Sequence, residues 1–216
     1  PMEPTIWKIT AMAGAEREFT ILDTKPEIQD RPGAVELPPI KGHGRFDNVS
    51  FAYEGDDYVL KNINLEVQPG QTIALVGHTG AGKTSMINLL CRFYDVSGGQ
   101  ILIDGYDIRD VTQKSLRSQI GLVLQEPFLF SGTIRENLLY GNPGAGEEEM
   151  LEVSKALGLH DIVQQFPEGY DTQVQERGSR LSLGQRQLVS FARAIINDPR
   201  ILILDEATAN IDTQTE

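Results

Sequence analysis

The sequence predicts an α/β fold in which a mixed core is interrupted by a helical insertion. Three observations carry that expectation. Strand-like segments crowd the first half of the chain, a mainly helical pattern follows, and one last strand closes it. A glycine-rich loop, GHTGAGKT at 77–84, stands between a short apolar run and a helical one. The terminal run Ile201 to Leu204 leads straight into two carboxylates, Asp205 and Glu206.

Taken in order, residues 6–22 place apolar side chains at three- and four-residue spacing, which predicts a helix. The stretch 23–44 contains four prolines among polar and glycine breaks, so it reads as a linker. GRFDNVSFAY at 44–53 alternates like a strand, and YVLKNINLEVQPG at 58–70 gives another that ends in a Pro-Gly turn. QTIALVG at 71–77 is expected as a short buried strand, followed by a helix in GKTSMINLLCRFY at 82–94. QILIDGYDI at 100–108 and QIGLVLQ at 119–125 supply further strands. From Glu126 to about Asn197 the pattern is mainly helical, with a loop around GNPGAGEEE at 141–149, and RILILDE at 200–206 is the last strand. The Glu147–Glu149 run reads as a solvated helix start.

The bulk composition narrows the function classes. At 216 residues, with 40% hydrophobic and 23% charged side chains, the chain fits an ordinary globular protein, long enough for one large domain or a domain with an appendage. Nineteen basic against 31 acidic residues give a net charge of −12, which argues against an electrostatic grip on nucleic acid. One cysteine, Cys91, excludes an intrachain disulfide and a Cys-cluster metal site, and is expected as a small core residue on a helix. No apolar run reaches membrane-spanning length, and nothing resembles a signal peptide. Pro1 is not an initiator residue, so the chain is expected to be a soluble piece of something longer.

The loop at 77–84 fits G-x-x-x-x-G-K-[ST], with a strand expected before it and a helix after. Its glycines let successive backbone N–H groups point at phosphate oxygens, and the helix start adds partial positive charge. The expected nucleotide-binding residues are therefore Gly77, His78, Thr79, Gly80, Ala81, Gly82, Lys83, Thr84 and Ser85. Lys83 is expected at the β- and γ-phosphates and the Thr84 hydroxyl on Mg²⁺, while the His78 ring is assigned no chemistry. In a P-loop protein a second hydrophobic strand ending in Asp lies beside the P-loop strand. Asp205 would then face Mg²⁺, and Glu206 would accept a proton from the water attacking the γ-phosphate.

Between these motifs lies RLSLGQRQLVSFARAI at 180–195. Here the chain resembles the nucleotide-binding domain of ATP-binding cassette (ABC) transporters of the exporter type. Leu181 to Gln185 matches the family's L-S-G-G-Q signature, with Leu183 where the commonest pattern has glycine. The resemblance implies a P-loop NTPase core with an antiparallel β subdomain and a helical signature subdomain. It also implies that Ser182, Gly184 and Gln185 meet the γ-phosphate held by an opposite subunit, so that two ATP molecules are sandwiched between two domains. Gln125 falls at the Q-loop glutamine, expected to contact Mg²⁺ and relay to the membrane domain, and Tyr53 at the aromatic that stacks on adenine. Glu176 falls in the loop that touches the coupling helices of the membrane domain, and Asp212 at the D-loop. SGTIRENLLYG at 131–141 looks exporter-specific.

On this resemblance, 1–22 is the helical tail of a preceding transmembrane domain and 23–44 its linker. Residues 45–216 are the nucleotide-binding domain, with the helical subdomain at about 126–197. The domain is expected to be incomplete at its C-terminus, because neither His43, His78 nor His160 stands where the family has its switch histidine. The implied function is an ATP-hydrolysing motor of a membrane exporter at the cytoplasmic face. Its implied ligands are ATP and Mg²⁺, its partners the transmembrane domain of the same polypeptide and a second nucleotide-binding domain, with no nucleic acid. Two alternatives share the motifs: a soluble ABC-type ATPase acting on DNA or ribosomes, and a nucleotide-gated module without turnover.

Overall fold

A computed structural model describes residues 22–175 and 178–205, together with Ala15 and Phe19. Glu176, Glu206 and Asp212 lie outside the described residues. Ala15, Phe19, Leu22 and Asp23 are helical, in and next to the span expected as a tail helix.

Four strands form an antiparallel sheet in the order β2-β1-β3-β4: β1 (Gly44–Ala52), β2 (Tyr58–Val67), β3 (Gly98–Ile103) and β4 (Tyr106–Asp107). Phe46, Val49 and Phe51 of β1 all face the core, a spacing that strict alternation forbids. The register shift between Phe46 and Val49 resolves it: Asn48 turns left-handed (φ 50°), and the strand re-phases across the irregularity. Gly99 packs against this kink. It sits at φ 75°, and a Cβ there would lie 2.4 Å from the carbonyl oxygens of Asp47 and Asn48. Strands β3 and β4 are joined by Asp104-Gly105, both at positive φ as a two-residue hairpin turn requires.

Helix α1 (Lys83–Leu90) buries Ile87 and Leu89, and Leu89 joins Leu60, Ile101 and Ile103 in the first core. Cys91, which ends α1, is buried, and that burial pushes its thiol up to about 11. A short helix, α2 (Gln113–Arg117), begins at the Thr112 cap and buries Leu116 in the same core.

A second core belongs to the helical unit: α3 (Ile134–Leu139), α4 (Glu147–Ala156), α5 (Leu159–Val163) and α6 (Leu183–Ile195). Thr133 and Glu136 form a capping box that starts α3. Residues 172–175 and 178–182 between α5 and α6 are largely irregular, with Thr133 and Gln173 forming an isolated bridge, so the helical pattern is less continuous than expected. Strands β5 (Ile120–Val123) and β6 (Ile201–Leu204) pair in parallel, and α6 packs against β5.

One expectation is revised. Residues 71–78 are not a strand: they are irregular and exposed, with Ile73, Leu75 and Val76 open to solvent. An apolar β-branched run forms a strand only where a neighbour completes its hydrogen-bond ladder. Here β5 and β6 pair with each other, and 71–77 adds to neither. The linker, in turn, is no loose tether. Val35 bridges to Val111, Leu37 and Ile40 are buried, and Leu37 N and Ile40 N donate to Ser115 Oγ and Gln119 Oε1 at 2.9 and 2.8 Å. Four prolines kept it out of helices and ladders, but Leu37 and Ile40 still found the core.

Candidate functional site

The glycine-rich loop closes on itself before α1. Gly80 and Gly82 take φ of 84° and 87°, and Ala81 N donates to His78 O at 3.1 Å. Gly82 also permits a close approach, since a Cβ there would come 2.6 Å from Leu60 Cδ2. It caps α1 without a side chain, so the first amides of the helix are not taken up by a capping group. Lys83 opens the helix and folds its ammonium back over the loop, donating to Gly77 O at 2.7 Å and His78 O at 3.2 Å. The centre of the loop thus carries a positive charge beside backbone donors, which suits a polyphosphate. His78 Nδ1 lies 3.0 Å from the neighbouring Thr79 O. Thr84 is exposed and Ser85 is buried.

Ser85 links this loop to the aromatic at the end of β1. The Tyr53 hydroxyl lies 3.0 Å from Ser85 Oγ, and the Tyr53 ring stands edge-on to Phe51 and Tyr94 at 4.7 and 5.1 Å. Two rings brace it and a hydroxyl ties its end to α1, yet Tyr53 remains half exposed. A braced, half-exposed ring next to a phosphate-binding loop can stack on a planar base.

Gln125 and Asp205 follow the ends of the parallel strands β5 and β6. Val123 pairs with Leu204, and Asp205 N donates to Val123 O at 2.9 Å, extending the parallel ladder by one residue. Gln125 follows β5 two residues after Val123, so both side chains belong to the carboxyl edge of the same strand pair, where α/β sheets bind ligands. The loop after Gln125 is anchored by Arg193 on α6. Its guanidinium donates to Phe128 O at 2.6 Å, lies over the Phe130 ring, and is pushed down in pKa by burial.

The signature residues start α6. Ser182 and Gln185 form a reciprocal capping box: Ser182 N donates to Gln185 Oε1 at 2.9 Å, and Gln185 N to Ser182 Oγ at 3.2 Å. Leu183 occupies the first helical position with its side chain half open, and it leaves the box intact. Behind the loop, Arg186 donates to Leu181 O at 2.8 Å and Leu181 is buried. The structure therefore ties Tyr53 through Ser85 to the helix that Lys83 opens, sets Gln125 and Asp205 after the paired strands β5 and β6, and holds Ser182, Gly184 and Gln185 at the start of α6. It does not seat the glycine-rich loop on the β5–β6 pair, because 71–77 is unpaired. Among the described residues no three His, Cys, Asp or Glu side chains gather as a metal site.

Sequence reasoning missed Arg92, a fully buried guanidinium just past α1, and Arg193, a partly buried one in the last turn of α6. The signal was faint: each sits among apolar helical residues, where a fully charged side chain needs partners to be buried at all.

The ABC transporter family model matches residues 60–209. The chain is 50% identical over 208 residues to an ABC transporter ATP-binding protein of Bacillus subtilis, YknV, covering 96% of this chain and 34% of that protein. It is 52% identical to an ATP-dependent lipid A-core flippase of Syntrophus aciditrophicus, covering 95% and 34%. A solved bacterial Atm1-family ABC exporter with ATP bound superposes with a TM-score of 0.90 at 42% identity, over 95% of this chain and 36% of that one. The chain thus spans about a third of the length of the curated relatives it matches.

Proposed function

Because this chain belongs to the ABC transporter family, we propose that it is the ATP-binding and ATP-hydrolysing domain of an exporter. The observation that carries the reading is Lys83 held over the glycine-rich loop, with Tyr53 tied to the same helix through Ser85. In this reading Tyr53 stacks on adenine, and the amides of Gly77 to Thr84 with Ser85 enclose the phosphates. Lys83 turns from the Gly77 carbonyl to the β- and γ-phosphates.

Thr84, Gln125 and Asp205 offer only oxygen donors, the set that suits Mg²⁺. When bound, the ion would neutralise phosphate charge and hold it for in-line attack. Glu206 takes the proton of the attacking water. Ser182, Gly184 and Gln185 face the γ-phosphate of a second such domain, so hydrolysis needs a pair. The energy of pairing passes to a transmembrane domain, which places the chain at a membrane surface, with no role for nucleic acid.

An exporter is favoured over a soluble ATPase acting on DNA or ribosomes by the flippase and exporter relatives and by the acidic charge. The test is steady-state turnover of the full-length parent in membranes. Glu206→Gln should abolish turnover while ATP binding stays, because the substitution removes the base and leaves the phosphate contacts. Wild-type turnover in that variant would remove Glu206 from the chemistry.

A further inference from the structure

Arg92 lies just beyond the C-terminal end of α1, fully buried and in a left-handed conformation (φ 52°). A buried guanidinium persists only where its donors are met. Here they are met by three different segments. Nη2 donates to Gln29 O at 2.9 Å, Nη1 to Val111 O at 2.9 Å, and Nε to Asp95 Oδ1 at 3.2 Å. Asp30 adds a second carboxylate at 3.7 Å, and its Oδ1 also accepts from Gln113 N at the start of α2. The Arg92 carbonyl in turn accepts from Arg117 Nη2 at 2.7 Å, and Arg117 Nε donates to Cys91 O at 3.0 Å.

One side chain therefore joins the proline-rich strap, the α1 end and the loop before α2. Helix α1 carries the phosphate loop at its other end, about 12 Å away by helical rise. It is only eight residues long, so whatever fixes one end bears on the other. From this geometry we infer that Arg92 is a positioning residue of the phosphate loop, coupling the strap at 28–36 to the loop at 77–84 through α1. Displacement of the strap is felt at the phosphate site, and loop order is felt at the strap. Only a planar fork of donors spans the three segments. A lysine ammonium would keep the charge and lose the geometry.

The inference rests on the nucleotide reading for its meaning but not for its test. Amide hydrogen exchange is followed by peptide on the full chain, without nucleotide. Arg92→Lys should speed exchange by about tenfold to 100-fold, the loss expected of a charge-assisted hydrogen bond, in 28–36 and also in 77–90. Asp30→Ala, at a half-exposed carboxylate, should act in the same direction at both segments, and it decides the matter if Arg92→Lys does not fold. Arg31→Ala breaks the exposed Arg31–Asp110 strap contact and spares Arg92, so 77–90 should not change. Faster exchange confined to 28–36 in Arg92→Lys and Asp30→Ala would overturn the coupling. ATP titration of Lys83→Ala is a separate readout. An unchanged affinity there would fail the nucleotide reading and leave the coupling standing.

Discussion

Two regions of the molecule are made of similar apolar, β-branched segments and end differently. The antiparallel sheet is built from two local hairpins, β1 with β2 across a short turn and β3 with β4 over Asp104-Gly105, which then join through β1 and β3. Val49 there is fully buried. The run at 71–77 is as apolar as any of these strands, yet Val76 is 93% exposed and the run joins no sheet. Its remote candidates, β5 and β6, come from either side of the helical unit and pair with each other. Local partners make a strand from its own pattern. Parallel partners must be delivered by the rest of the fold.

The sharpest way to break this contrast is at Gly99, on which the β1 kink depends. Gly99→Ala should destabilise the protein by about 3 kcal/mol or more, because it combines a left-handed φ with a backbone clash. Chemical denaturation followed by circular dichroism would measure it, and a neutral result would mean that the sheet tolerates another register.

A matched pair then sharpens the comparison with one chemistry in two places. Val49→Ala should cost about 1.5–3 kcal/mol, the worth of a buried valine, whereas Val76→Ala should stay within about 0.5 kcal/mol. Equal losses in the two would place 71–77 in a core.

The same contrast explains what was legible in the sequence. The glycine-rich loop, the Ser182 cap and the β6 run into Asp205 are contiguous motifs, and each takes the local form its residues dictate. Tyr53 was recognisable by position, but its hydroxyl bond to Ser85 spans from β1 to α1 and has no sequence signature. The inward packing of the strap has no sequence signature, because prolines announce the lack of ladder bonds and say nothing about Leu37 and Ile40. The 71–77 run fails as a strand for another reason: strong propensity with no partner.

The central claim is that one nucleotide is held at both ends, its phosphates by the loop of Lys83 and its base by Tyr53. Calorimetric titration of ATP and of tripolyphosphate into the wild type, Lys83→Ala and Tyr53→Ala tests it most directly. Lys83→Ala should weaken both ligands by about 1.5–3 kcal/mol, since both lose the same charge-assisted contact. Tyr53→Ala should weaken ATP and leave tripolyphosphate unchanged. ATP binding to Lys83→Ala with wild-type affinity, or equal losses for the two ligands in Tyr53→Ala, would contradict the account.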